Sequence, residues 1–179
     1  MIARALRLYP VRHPQIPALA HDFAFYLLRQ DYYSRAERVL RMTLPRLMRP
    51  DNQLIGWATY ARVVASMGDR ESWGTARMEA LSRMGFGGPF IGAANIHLAE
   101  AARAIGDWPE AAARAELALE FAIARREGLI EADARQLLHA VAMQASVAEE
   151  AIPSEANRVD LIASEFADRL RRWKHRLTP

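Results

Sequence analysis

The stretch from residue 92 to 120 constrains the fold more than any other part of the chain. It reads GAANIHLAEAARAIGDWPEAAARAELALE, which is typical of two short helices folded back on each other at Gly106-Asp107. The large apolar side chains of the hairpin are Leu98, Trp108 and Leu119. The small residues where the helices must approach closely are Ala99, Ala111 and Ala118. The stretch therefore predicts an antiparallel helical hairpin with a left-handed turn residue at Gly106.

The same kind of turn recurs at a nearly constant spacing. The turn positions Asp31, Gly68 and Gly106 are 37 and 38 residues apart. An alanine follows five residues after the turn in the first and third units, at Ala36 and Ala111. Pro45 should end or kink the helix after the first turn, because proline lacks the backbone donor that a helix interior needs. The spacing predicts three helical hairpins in a row.

These hairpins resemble the tetratricopeptide repeat, a helix–turn–helix unit of about 34 residues that stacks into a solenoid. The three or four extra residues in each unit fall in the connectors HPQIP, RPDN and GFGGPF. The resemblance implies an all-α, right-handed superhelical solenoid of antiparallel helical hairpins, without strands. The repeats cover about 17–51, 54–88 and 92–127, and the chain 1–179 forms a single repeat domain.

The repeat pattern fades towards the C-terminus. We expect the second helix of the third repeat to end at Gly128. A terminal helix pair over residues 129–173 should then cover the end of the stack, since an uncovered last repeat would leave apolar surface in water. The second helix of that pair carries an apolar stripe along one face. Its members are Val159, Ile162, Phe166, Leu170 and Trp173.

The first residues offer two interpretations. ARALRLYP resembles the end of a repeat's second helix, because Ala5, Leu6 and Pro10 match the family spacing. The chain is then cut from a longer protein, or the segment is a capping helix. MIARALRLYP is too short and too charged for a secretory signal. No apolar run approaches the roughly 20 residues that span a bilayer, so we expect a cytoplasmic protein without a membrane partner.

Catalytic and metal-binding patterns are weak. The chain has no cysteine, which excludes disulfides, thiolate zinc sites and cysteine nucleophiles. His97 and Glu100 lie one helical turn apart, but without a second such pair a solvated face is the preferred interpretation. GFGGP lacks the Lys-Ser/Thr of a phosphate loop, and no serine stands in a nucleophile elbow. We therefore expect no enzyme, no cofactor and no metal.

The resemblance also implies a binding surface, formed by the first helix of each repeat. In the family, the exposed positions of that helix line a concave groove. Carried onto this chain, the polar or aromatic members are His21, Phe25, Arg29, Arg62, Ser66, Glu100, Arg103, Arg135 and His139. Arginines along a groove suit an acidic or carboxylate-ended peptide through charge-assisted hydrogen bonds. The alternative is that these arginines are solvated and bind nothing.

The leading functional hypothesis is a non-catalytic protein–protein interaction module that binds a peptide or a partner helix in this groove. The alternative is the effector or sensor domain of a transcription regulator, cut from a longer chain. A third hypothesis places nucleic acid on the basic C-terminal segment RLRRWKHRLTP. Its arginines would contact phosphates and Trp173 would stack on a base.

Overall fold

The computed structural model describes residues 13–86 and 88–143. Over these residues the fold is all-α, with seven α-helices and no strand, so the predicted all-α class is confirmed for this part of the chain. No helix among them is long and apolar enough to cross a membrane. The helices are α1 (Ile16–Arg29), α2 (Tyr33–Thr43), α3 (Pro50–Ser66), α4 (Arg70–Leu81), α5 (Ile91–Ala104), α6 (Trp108–Arg125) and α7 (Gly128–Met143).

The described residues fall into two compact units that meet in sequence between Leu47 and Met48. The first contains α1 and α2, which pack as a hairpin around buried leucines. Helix α2 ends at Thr43, and Pro45 lies in the 3-10 turn Leu44–Arg46 that follows. The predicted effect of Pro45 on this helix is confirmed.

The second unit contains the other five helices. Helices α3 and α4 form one hairpin, and α5 and α6 form another. Helix α3 packs against α5, while α7 packs against α6 and more lightly against α5. One hydrophobic cluster lies among α3, α4 and α5, around Leu54 and Leu98. Another lies among α5, α6 and α7, around Ile96 and Leu137. Successive hairpins of this unit therefore share their cores.

The three predicted turn residues all adopt left-handed backbone conformations. The φ angles are 58° at Asp31, 78° at Gly68 and 81° at Gly106. In the third hairpin the Gly106 amide donates to the Arg103 carbonyl at 3.1 Å, and the Asp107 amide donates to the Ala102 carbonyl at 2.8 Å. This pair of hydrogen bonds is the Schellman motif, which satisfies carbonyls left over at a helix C-terminus. The same pair closes the other two turns.

After two of these turns an aspartate starts the next helix. The Asp69 carboxylate accepts a hydrogen bond from the Ser72 amide at 3.0 Å. The Asp107 carboxylate accepts one from the Glu110 amide at 3.2 Å. Aspartate is favoured at this position because it satisfies an amide that has no partner inside the helix. A Gly-Asp pair thus ends one helix and caps the next.

The end of α6 differs from the sequence prediction. The helix ends at Arg125, and Gly128 is the first residue of α7, so the prediction that Gly128 ends the helix is wrong. Arg126 takes the left-handed conformation instead, with a φ of 59°. The Glu127 amide donates to the Ala122 carbonyl at 2.9 Å, which closes a further Schellman motif. A non-glycine residue therefore adopts the left-handed conformation at this turn.

Small residues occupy the helix crossings as expected. Ala36, Ala99, Ala111 and Ala118 have no solvent-exposed surface. Alanine allows two helix backbones to approach closely, and the buried surface at these crossings is rich in methyl groups. The terminal pair is described only as far as α7, and residues 144–173 lie outside the described residues. The segment with Ala5, Leu6 and Pro10 and the basic C-terminal segment lie outside them too.

Candidate functional site

The predicted binding residues are distributed over both units. His21, Phe25 and Arg29 lie on α1 in the first unit. His21 Nδ1 is 3.5 Å from an oxygen of the neighbouring Asp22 carboxylate. Phe25 and Arg29 are exposed. The other six residues belong to the second unit.

Three of those six side chains meet between α3 and α5. Arg103 donates to Glu100 Oε2 through Nε at 2.9 Å and through Nη2 at 2.7 Å. Arg62 reaches across from α3, and its Nη2 lies 3.9 Å from Glu100 Oε1. We call these three residues the α3–α5 cluster. Its two guanidinium groups and one carboxylate carry a net single positive charge.

The α3–α5 cluster is largely withdrawn from solvent. The exposed fraction of the side chain is 13% for Arg62, 19% for Glu100 and 18% for Arg103. Both arginines are therefore mostly buried and not fully solvated, while the alternative that they bind nothing stays a prediction. At 3.9 Å the Arg62–Glu100 contact is an ion pair that is too long for a hydrogen bond. Among the described residues, Arg62 donates no side-chain hydrogen bond.

The other predicted residues of this unit do not join the cluster. Ser66 is half-buried at the last position of α3. Arg135 is exposed on α7 and donates to Glu131 of the same helix at 2.8 Å and 3.1 Å. His139 is exposed one turn further along α7. Only three of the six predicted residues in this unit therefore contact one another, and these three lie on α3 and α5.

A second group of the same composition lies between α4 and α6. Arg77 donates to Glu110 Oε1 through Nε at 2.9 Å, and its Nη2 lies 2.8 Å from the same oxygen. Arg114 Nε donates to that oxygen at 3.0 Å. We call these three residues the α4–α6 cluster. Sequence reasoning missed it, although Glu110 and Arg114 have the four-residue spacing of a helical ion pair. The contact with Arg77 spans 33 residues and leaves no local signal.

Burial and two arginine partners act in opposite directions on the ionisation of Glu110. Burial raises the pKa of this carboxyl, because a charged group is less stable away from water. The hydrogen bonds from Arg114 and Arg77 and the positive charges of these two arginines act in the opposite direction and together outweigh burial. The pKa of Glu110 therefore lies below its usual value. The α4–α6 cluster is a closed ion-pair network that links the two hairpins.

His97 and Glu100, the pair with the spacing of two metal ligands, lie in different surroundings from those expected. His97 is buried, with 6% of its surface exposed, and Glu100 turns its carboxylate towards arginines. The solvated face expected at these two positions is therefore wrong. No group of three or more potential metal ligands occurs in the part of the chain that the structure describes. The clustered side chains are suited to binding anions through hydrogen bonds.

No protein-family model, curated protein or solved structure matches this chain. The resemblance to the tetratricopeptide repeat therefore stays a prediction that rests on the turns and their spacing.

Proposed function

We propose that the protein is a non-catalytic interaction module of tetratricopeptide-like hairpins. It binds an acidic segment of a partner protein on the face of α3 and α5 that carries Arg62. The repeated left-handed turns and the packing of α3 against α5 support this architecture. They hold the first helices of two successive hairpins side by side, as the family's binding groove requires.

The contrast between the two clusters carries the proposal. In the α4–α6 cluster, Arg77 contacts Glu110 at 2.8 Å and 2.9 Å. In the α3–α5 cluster, Arg62 is 3.9 Å from Glu100, although only 13% of its side chain is exposed. A guanidinium group has five donors, and no nitrogen of Arg62 is both fully buried and without a partner, so its donors are open to water or to a ligand. Arg62 is therefore the arginine whose donors a ligand would satisfy.

A carboxylate fits this requirement better than a neutral group. Arginine binds a carboxylate through two parallel charge-assisted hydrogen bonds, which are stronger than neutral ones. The partner's Asp or Glu side chain, or a C-terminal carboxylate, would supply the acceptor. Only 13% of the Arg62 side chain is exposed, so packing already limits its conformations and reduces the entropy that it loses when the ligand arrives.

The test compares one arginine from each cluster. Short random peptides displayed on phage are selected on the full chain, and a recovered peptide is titrated against Arg62→Gln and Arg77→Gln. Glutamine removes the charge but keeps the length of the side chain, so it avoids the repulsion that a glutamate would create beside Glu100. We expect Arg62→Gln to weaken binding at least tenfold, about 1.4 kcal/mol. Arg77→Gln should leave the affinity unchanged while lowering the melting temperature.

The basic C-terminal segment provides the competing outcome. A variant that ends at residue 173 lacks Lys174, His175 and Arg176. The proposal predicts that this variant binds the selected peptide as tightly as the full chain does. If the truncated variant no longer binds the peptide while Arg62→Gln still does, the C-terminal segment carries the binding and the proposal is overturned. Failure to select any acidic peptide would also count against it.

A further inference from the structure

Glu100 lies where it can restrict the charge of a ligand. Its Oε2 is held by two hydrogen bonds from Arg103, and its Oε1 faces Arg62 at 3.9 Å. The carboxylate is therefore an internal anion beside the guanidinium group that the proposed ligand would contact. Its counterpart Glu110 lies in a cluster whose arginines are already hydrogen-bonded to it.

The net charge of the α3–α5 cluster limits what it can accept. Two arginines and one glutamate leave a single positive charge. One carboxylate brings the total to zero, whereas a phosphate group carries close to two negative charges at neutral pH. The two arginines would attract both charges and Glu100 would repel both, but a doubly charged group is far more costly to desolvate than a carboxylate at a site where each of the three side chains is less than a fifth exposed. Water screens such repulsion poorly there.

We infer that Glu100 is a specificity-determining residue, which makes the site accept one carboxylate and reject phosphate. Glu100 also competes with the ligand for Arg62, so the affinity for any anion stays modest until this carboxylate is removed. The inference rests on the proposed function for its biological partner. The anion site itself is measurable without that partner, which separates the two claims.

The experiment follows the Arg62 guanidinium in the full-length protein. Arginine side chains are labelled with nitrogen-15, and the Arg62 Nε–Hε signal is identified by its loss in Arg62→Gln. Acetate and methyl phosphate are the probes, titrated separately at neutral pH and constant ionic strength. In the wild type we expect acetate to shift this signal at lower concentration than methyl phosphate does.

Substitution of Glu100 should change that preference. We expect Glu100→Gln to tighten the binding of both probes, and methyl phosphate by more, at least about tenfold, because one charge interaction at about 4 Å near a protein surface exceeds that factor. Glu100→Ala removes the carboxylate without a replacement amide and keeps a strong helix former, so it gives the same test if the glutamine variant folds poorly. Glu110→Gln is the matched control and should leave the response of Arg62 unchanged.

Two results would overturn the inference. The first is that both Glu100 variants bind the probes no more tightly than the wild type, because Glu100 would then orient the arginines instead of opposing the ligand. The second is that acetate leaves the Arg62 signal unchanged in every variant, since the anion site would then be absent. A peptide selection that fails while acetate binds as expected would contradict only the proposed protein-binding function.

Discussion

Gly106 and Gly74 show how backbone conformation alone decides the effect of one added methyl group. A Cβ built on either glycine has no atom within 4 Å, so neither substitution creates a clash. Gly106 has a φ of 81°, whereas Gly74 lies inside helix α4. The two positions therefore differ in backbone strain and not in the space available.

We expect Gly106→Ala to lower the free energy of unfolding by roughly 1–2 kcal/mol, because a side chain disfavours the left-handed region. Gly74→Ala should raise it by about 1 kcal/mol, because alanine is the better helix former. Urea unfolding of the two variants measures both changes. A Gly106→Ala variant as stable as the wild type would mean that this turn is not left-handed in solution.

At single residues, the sequence predicts a left-handed turn where the residue type favours positive φ. Gly68 and Gly106 are recognisable because glycine adopts positive φ at little expense, and Asp31 was found through its spacing. Arg126 could not be found in this way, since arginine carries no preference for a left-handed turn. Its left-handed conformation accompanies the Schellman hydrogen bonds at the end of α6.

Among the elements, the crossing of α5 and α6 depends on alanines. Ala111 is fully buried on α6, and Ala113 is exposed two residues further along the same helix. We expect Ala111→Leu to lower the free energy of unfolding by roughly 1–3 kcal/mol through overpacking. Ala113→Leu should be nearly neutral. Thermal unfolding of both variants measures the difference, and equal melting temperatures would refute the close crossing.

The hairpins are also joined by the α4–α6 cluster, and this link should depend on pH. The pKa of Glu110 lies below its ordinary value of 4.5. A carboxyl with a lowered pKa contributes stability above the unfolded-state pKa and loses it as the pH falls through the folded-state value. We therefore expect Glu110→Gln to destabilise the protein by roughly 1 kcal/mol at neutral pH.

That difference should shrink as the pH falls below about 4.5. Thermal unfolding of the wild type and Glu110→Gln across this range measures it. Glu116→Gln, an exposed position on the same helix, controls for the substitution itself. A difference that stays constant from neutral to acid pH would contradict the ionic role of Glu110.

The elements themselves were largely predictable, and the contacts between them were not. Helix positions follow from apolar periodicity, and Pro45 marked the end of α2. The end of α6 was misplaced because Gly128, a residue typical of helix ends, instead begins α7. The bond from Arg77 to Glu110 depends on how α4 and α6 are placed relative to each other, and no pattern within either helix encodes that.

For the molecule as a whole, the spacing of the turns predicted successive hairpins. The family register also selected Arg62, Glu100 and Arg103 as members of one surface, and the structure brings these three together. Their burial was not predicted, because it depends on the packing of α3 against α5. The regulator hypothesis and the handedness of the solenoid stay predictions.

The most direct measurement of the binding face is photo-crosslinking of an acidic peptide selected on the full chain. A benzophenone group placed next to the peptide's acidic residue is activated by light, and mass spectrometry identifies the residues that it labels. The proposed site predicts labels on α3 and α5 near Arg62 and Arg103, and loss of those labels in Arg62→Gln. Labels confined to α4 and α6 or to residues 174–179, and unchanged in Arg62→Gln, would contradict it.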